Sequence, residues 1–142
     1  MMLGSHVIKT YSTTQAVIAL SSGEAEYYGM VKGASVAIGV LALMKDYGLE
    51  AKISIKTDAA AAKGIAMRQG LGKVRHLETS QLWLQQKVAA NDIEIVKIPG
   101  TTNLADALTK YVTMTDYEMH CNGLHLERQQ SASTKALRAQ RP

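Results

Sequence analysis

The chain of 142 residues has no phenylalanine, a single cysteine and an aromatic content of 5%. A lone Cys121 cannot close an intramolecular disulfide, so a stapled secreted scaffold is excluded and an intracellular protein is the default expectation. Without Phe, the core has to be built from Ile, Leu, Val, Ala and Met. Residues 1–7 contain no cationic segment leading into a long apolar run, and no apolar stretch approaches the length of a bilayer span. The sequence therefore predicts a soluble protein.

Charge of one sign is also nearly lacking from most of the chain. The formal net charge is +4, but residues 128–142 carry Arg128, Lys135, Arg138 and Arg141 and no acid. Subtracting these four from the 16 Lys and Arg leaves 12 basic residues against 12 acidic ones in residues 1–127. The excess belongs to the tail, and four charges spread over that length read more readily as a solubilising extension than as a phosphate-binding arm. Residues 128–142, rich in Gln, Ser, Ala and Arg, are expected to form a disordered basic tail behind one folded unit, residues 1–127.

A hydrophobic content of 46% is enough for one ordinary core. Thr, Ser, Val and Ile between Val7 and Leu20 suit one or two extended segments. Ser21 and Ser22 ahead of Glu24 and Glu26 mark a helix start, and a long helix is expected from Gly23 to Asp46 with Gly48 just past its end. On that helix, small residues follow Glu26 at Gly29, Gly33 and Ala37. Glycine costs about 1 kcal/mol against alanine inside a helix, so this row predicts close approach to another element, with Tyr28, Val31, Ser35, Ile38 and Leu41 widening the buried stripe.

Lys52 to Lys56 alternate as a half-buried strand should, and run directly into Asp58. A helix is expected over Ala59 to Gln69, and another over Arg75 to Ala90. Ile93 to Ile98 is the clearest strand, stopped by Pro99 and Gly100. A loop and short helix follow over Thr101 to Tyr111, with Thr102 or Asn103 as N-cap. Alternation of this kind predicts an α/β fold with at least one parallel strand pair.

In such sheets, ligands bind beyond the carboxyl ends of the strands, which is where Asp58 stands. Glu26 in an early helical turn and Asp106 after the last strand are the other acids that could reach that edge. Three carboxylates together would suit Mg²⁺ or Mn²⁺, and two such ions about 4 Å apart can activate water against a phosphodiester. Each acid also has an ordinary reading, as a helix-dipole partner or a surface acid. His120, Cys121 and His125 lie close in sequence but lack a fourth zinc ligand, and His76 has no partner for such a role.

Three motifs sharpen this reading. Gln15 to Tyr28, with its Ala19-Leu20-Ser21-Ser22 and Glu24-Ala25-Glu26-Tyr27 runs, resembles a signature of ribonuclease H domains of copia-type retrotransposons, in their Pol polyproteins. Lys73-Val74-Arg75-His76 is similar to that family's basic element before a helix, and Asn103-Leu104-Ala105-Asp106-Ala107-Leu108-Thr109-Lys110 resembles its closing motif. All three stand in the family's order, with Asp58 between the first two, over roughly residues 12–111.

The resemblance implies a ribonuclease H-like mixed sheet with flanking helices, and four carboxylates binding two Mg²⁺ (or Mn²⁺) to hydrolyse RNA in RNA/DNA hybrids. It carries three of those carboxylates onto Glu26, Asp58 and Asp106, leaving Glu24 as the acid of the helix N-terminus. It also offers Lys73, Arg75 and His76 as contacts to the hybrid backbone. The family's first aspartate lies well upstream of the first motif, whereas residues 1–14 here contain no acid. The expectation is therefore a domain lacking the first strand and most of the second, inactive in cleavage by itself. Such a domain would self-associate or depend on a partner that completes the sheet. The alternative is a non-catalytic retroelement remnant that binds nucleic acid or a protein partner.

Overall fold

The computed structural model describes residues 1–72 and 77–126. The elements in chain order are β1 (Met2–Leu3), β2 (His6–Val7), α1 (Ser22–Asp46), β3 (Ile53–Thr57), α2 (Ala60–Met67), α3 (Trp83–Ala89), β4 (Ile93–Lys97) and α4 (Met114–Gly123), with short 3-10 turns at Thr79–Gln81, Gly100–Thr102 and Asp106–Leu108. The chain is thus mixed α/β. The described residues fall into two compact units, one of residues 12–103 and the other of residues 1–11 with 104 onward.

In the larger unit, β3 and β4 pair in parallel, Ile53 beside Ile93 through Thr57 beside Lys97. The predicted parallel pair is present. Ile93 and Ile95 are buried, Ile53 and Ile55 half-buried, and Ser54, Lys56 and Glu94 exposed, so one face of the sheet meets the helices and the other meets water. α1 lies over β3, α3 over β4, and α2 packs on both strands and on both helices. Tyr27, Tyr28, Met30, Val31, Ala34, Ala62, Ile65, Ala66, Leu77, Leu84, Ile93 and Ile95 form the core. In the absence of Phe, the large aromatic share of that core falls to the two tyrosines.

α1 begins as its sequence predicts. Ser21 is the N-cap, and its Oγ accepts from the Glu24 backbone N–H at 3.2 Å. The stripe that it buries differs from the expected one: Gly23, Glu24, Tyr27, Tyr28, Met30, Val31 and Ala34 go inside, while Gly29 is exposed and a Cβ there would meet nothing within 4 Å. Tyrosine rings remove far more area from water than a glycine row, and they decide which face turns inward. The close approach occurs instead at Gly23, where a Cβ would come 2.8 Å from the Ala61 Cβ. Beyond Ala34 no residue of α1 is buried.

α1 also corrects the expectation about long apolar runs. An 18-residue stretch of its 25 residues has a mean hydropathy of 1.4, long and apolar enough by length and composition to cross a bilayer. A core helix meets the same description, and the first half of α1 serves as one.

Other differences are local. Residues 8–20 form no strand, although Val17 and Ala19 pack on the core while Ile18 and Leu20 face water, the alternation of a strand without a partner. Among the described residues, the helix expected over Arg75 to Ala90 is regular over Trp83–Ala89, preceded by the 3-10 turn Thr79–Gln81. Buried Gln85 on α3 ties that helix to α2: its side-chain amide donates to the carbonyls of Ile65 and Gly70, and its Oε1 accepts from the Gly70 N–H.

In the smaller unit, β1 and β2 form an antiparallel pair, Met2 opposite Val7. Gly4 between them has φ +59, the left-handed turn conformation that glycine takes without strain. α4 was not foreseen. Its N-cap, Thr113, accepts from the Asp116 N–H and donates to the Asp116 carboxylate at 2.7 Å. The 3-10 turn at Asp106–Leu108 is capped by Ala105 rather than by Thr102 or Asn103.

Candidate active site at the strand ends

β3 delivers Asp58 to the carboxyl end of the parallel pair, half-buried and immediately past Thr57. The bend there is held by buried Thr57, whose Oγ1 accepts from the Ala59 N–H at 3.1 Å. Lys97, paired with Thr57 at the end of β4, reaches across, and its Nζ donates to the Asp58 carbonyl at 2.5 Å. The loop after β4 closes over the same place. A Cβ at Gly100 would lie 3.3 Å from Asp58 Oδ2, so the missing side chain leaves room for that carboxylate. Two strand ends thus bring a carboxylate, an ammonium and a bare stretch of backbone together.

The two glutamates at the start of α1 are placed differently. Glu24 is buried and its Oε2 accepts from the Leu20 N–H at 3.0 Å, the helix-terminal part that the sequence assigns to it. Glu26 is exposed. The Gly23 contact presses the first turn of α1 against Ala61 in the first turn of α2.

Asp106 opens the 3-10 turn of the smaller unit. Its Oδ2 is 2.8 Å from Lys110 Nζ, an i,i+4 ion pair with the acid largely covered and the lysine exposed. Lys73, Arg75 and His76 lie outside the described residues.

Next to the buried glutamate, burial pushes the Tyr27 phenol up to about 12, with the Arg68 guanidinium opposing the rise and Tyr28 adding to it. Its hydroxyl donates to the Gln81 carbonyl at 2.8 Å. Tyr28 is also raised, first by burial and then by the carboxylates of Glu24 and Glu78. Both rings are therefore neutral packing groups at ordinary pH, not acid–base catalysts.

Carboxylates at a strand end have the right donor chemistry for Mg²⁺ or Mn²⁺. Among the described residues, however, no group of three or more His, Cys, Asp or Glu side chains is arranged to hold a metal ion. This applies equally to His120, Cys121 and His125, of which His120 is buried with no hydrogen-bond partner on Nδ1. Lys97 and Gly100 were missed in the sequence. The signal for them was the parallel register, which sets the last residue of the second strand beside the residue preceding Asp58.

No family model and no solved structure matches the chain. A curated protein that it resembles is the retrovirus-related Pol polyprotein from transposon TNT 1-94 of Nicotiana tabacum, 25% identical over 114 residues. The match covers 79% of this chain and 9% of the polyprotein, so the chain spans a small part of the relative's length. This likeness supports a retrotransposon Pol origin for the chain.

Proposed function

We propose that the chain is the ribonuclease H-type part of a copia-type retrotransposon Pol polyprotein, with a ribonuclease H-like fold. On this reading it engages RNA/DNA hybrids through Lys73, Arg75 and His76, and Glu26, Asp58 and Asp106 are the acids that serve hybrid hydrolysis in its lineage. The observation that carries the reading is the coincidence of the ordered motifs with the Pol likeness over 79% of the chain. The seat of Asp58 at the carboxyl end of a parallel strand, with Gly100 leaving space beside its carboxylate, supports it.

On the same reading the chain by itself binds the hybrid without cutting it, because hydrolysis of this kind relies on metal charge held at the scissile phosphate and the resemblance carries only three of the family's four carboxylates onto these residues.

Purified chain incubated with an end-labelled RNA/DNA hybrid in Mg²⁺ and in Mn²⁺ tests both parts. The expected result is a salt-sensitive complex with the hybrid and no cleavage. Cleavage that disappears in Asp58→Asn would uphold the ribonuclease H reading and overturn the inactivity. Folded protein that neither binds nor cuts the hybrid would sink the proposal.

A further inference from the structure

A lysine on a protein surface usually sweeps through solvent or settles on an acid, as Lys87 does on Asp92 and Lys110 on Asp106. Lys97 does neither. Its Nζ donates to two backbone carbonyls, that of Asp58 at 2.5 Å and that of Ile98 at 3.3 Å. It bonds the main chain of Asp58 and not the carboxylate, and among the described residues its ammonium forms no ion pair.

The parallel register accounts for this position. Side chains alternate along a strand, so Lys97 follows Ile93 and Ile95 onto the helix-covered face, at the last rung of the ladder and beside Thr57. Thr57 holds the bend that carries Asp58, and there the ammonium meets the Asp58 carbonyl.

Neutral carbonyls orient an ammonium without cancelling its charge. A full positive charge is thus held in place at the carboxyl end of the sheet. An ammonium has three donors, and two carbonyls leave one for a ligand. Because the four-carbon stem is already fixed, capturing an anion orders little that is not ordered beforehand. Lys97 and Gly100 are both exposed, and the missing Cβ of Gly100 keeps room beside the Asp58 carboxylate. One ammonium next to a carboxylate suits the single charge of a phosphodiester better than the nearly two charges of a phosphate monoester.

We infer that Lys97 is a nucleic-acid contact, its ammonium receiving a backbone phosphate of the RNA/DNA hybrid directly at the strand ends. The inference rests on the hybrid binding proposed above and adds to it a cation that lies outside the basic motif.

The salt dependence of binding tests it, with a fluorescently labelled RNA/DNA hybrid titrated in EDTA so that no divalent ion bridges Asp58 to a phosphate. Each contact between a cation and a phosphate adds about 0.7–0.9 to the slope of log affinity against log salt. Lys97→Met and Lys97→Gln both remove the charge, but only Lys97→Gln keeps a donor for the carbonyls. Each is expected to lower the slope by about 0.7–0.9 and to weaken binding severalfold near physiological salt, with thermal melts showing that the variants fold. Lys56→Met removes an equal charge from the water-facing side of β3 and is expected to leave the slope unchanged. A folded Lys97→Gln with the parent's slope would overturn the inference, since a loss confined to Lys97→Met would make Lys97 a prop for the Asp58 bend and not a contact. An equal drop in Lys56→Met would overturn it too, by showing that any cation of the sheet counts alike. A parent chain that does not bind the hybrid at all would remove the proposed function and this contact with it.

Discussion

At the scale of the residue, the two glutamates of the first motif differ in their surroundings. They are two positions apart on one helix, yet Glu24 is buried against the Leu20 N–H while Glu26 is exposed. Removing Glu24 leaves a backbone donor without its acceptor at a covered helix start, and losses of this kind cost about 1–3 kcal/mol. Glu24→Ala should therefore lower the urea midpoint of unfolding clearly, and Glu26→Ala should leave it within about 0.5 kcal/mol of the parent. Equal losses in the two variants would show that the assignment of roles is wrong. The part of Glu24 at the helix start was legible in the motif. The buried face of the helix was less so, because the sequence shows a glycine row but not that two tyrosines outcompete it for the core. Gly23, which makes the close contact, lies at the helix start where a glycine attracts little notice.

At the scale of the element, legibility follows how local the cause is. Ile93–Lys97 was readable because β-branched residues alternate and Pro99 stops them. The start of α1 was readable because Ser21 carries its own cap. Residues 10–20 have the composition and alternation of a strand but pair with no other strand among the described residues, and a ladder is a property of two segments, not of one. α4 escaped notice because its polar and apolar residues form no clear stripe, and only the Thr113 and Asp116 pair marks where it begins. Gln85 is the instructive case between local and non-local. In sequence it is one of two adjacent glutamines, whereas in the fold it is 4% exposed and holds Ile65 and Gly70 with three hydrogen bonds. Gln85→Ala should cost about 2–4 kcal/mol through stranded backbone partners and lost packing. Gln86→Ala, at a neighbouring exposed site, should cost less than about 0.5 kcal/mol. Thermal melts of the two variants, compared side by side, check the difference.

At the scale of the whole molecule, the question is which charges meet a nucleic acid. The +4 net charge comes from the four cations in residues 128–142, and residues 1–127 are balanced. A reading from net charge alone would assign phosphate binding to the tail. The motif reading assigns it to Lys73, Arg75 and His76, three residues packed into four positions, and local density matters more than total charge at physiological screening, where the Debye length is about 8 Å. Salt dependence separates the two, because each phosphate contact made by a cation adds about 0.7–0.9 to the slope of log affinity against log salt. Lys73→Ala with Arg75→Ala should lower the slope for an RNA/DNA hybrid by about 1.4–1.8. Removal of residues 128–142 should lower it by less than about 1 if the tail is the solubilising extension that its sparse charge predicts. The reverse outcome, a drop of about 3 on removing the tail and none from the double variant, would move the hybrid-binding surface from the basic motif to the tail. In that case the ordered motif would remain evidence of descent, while contact with the hybrid would rest on unpatterned charge.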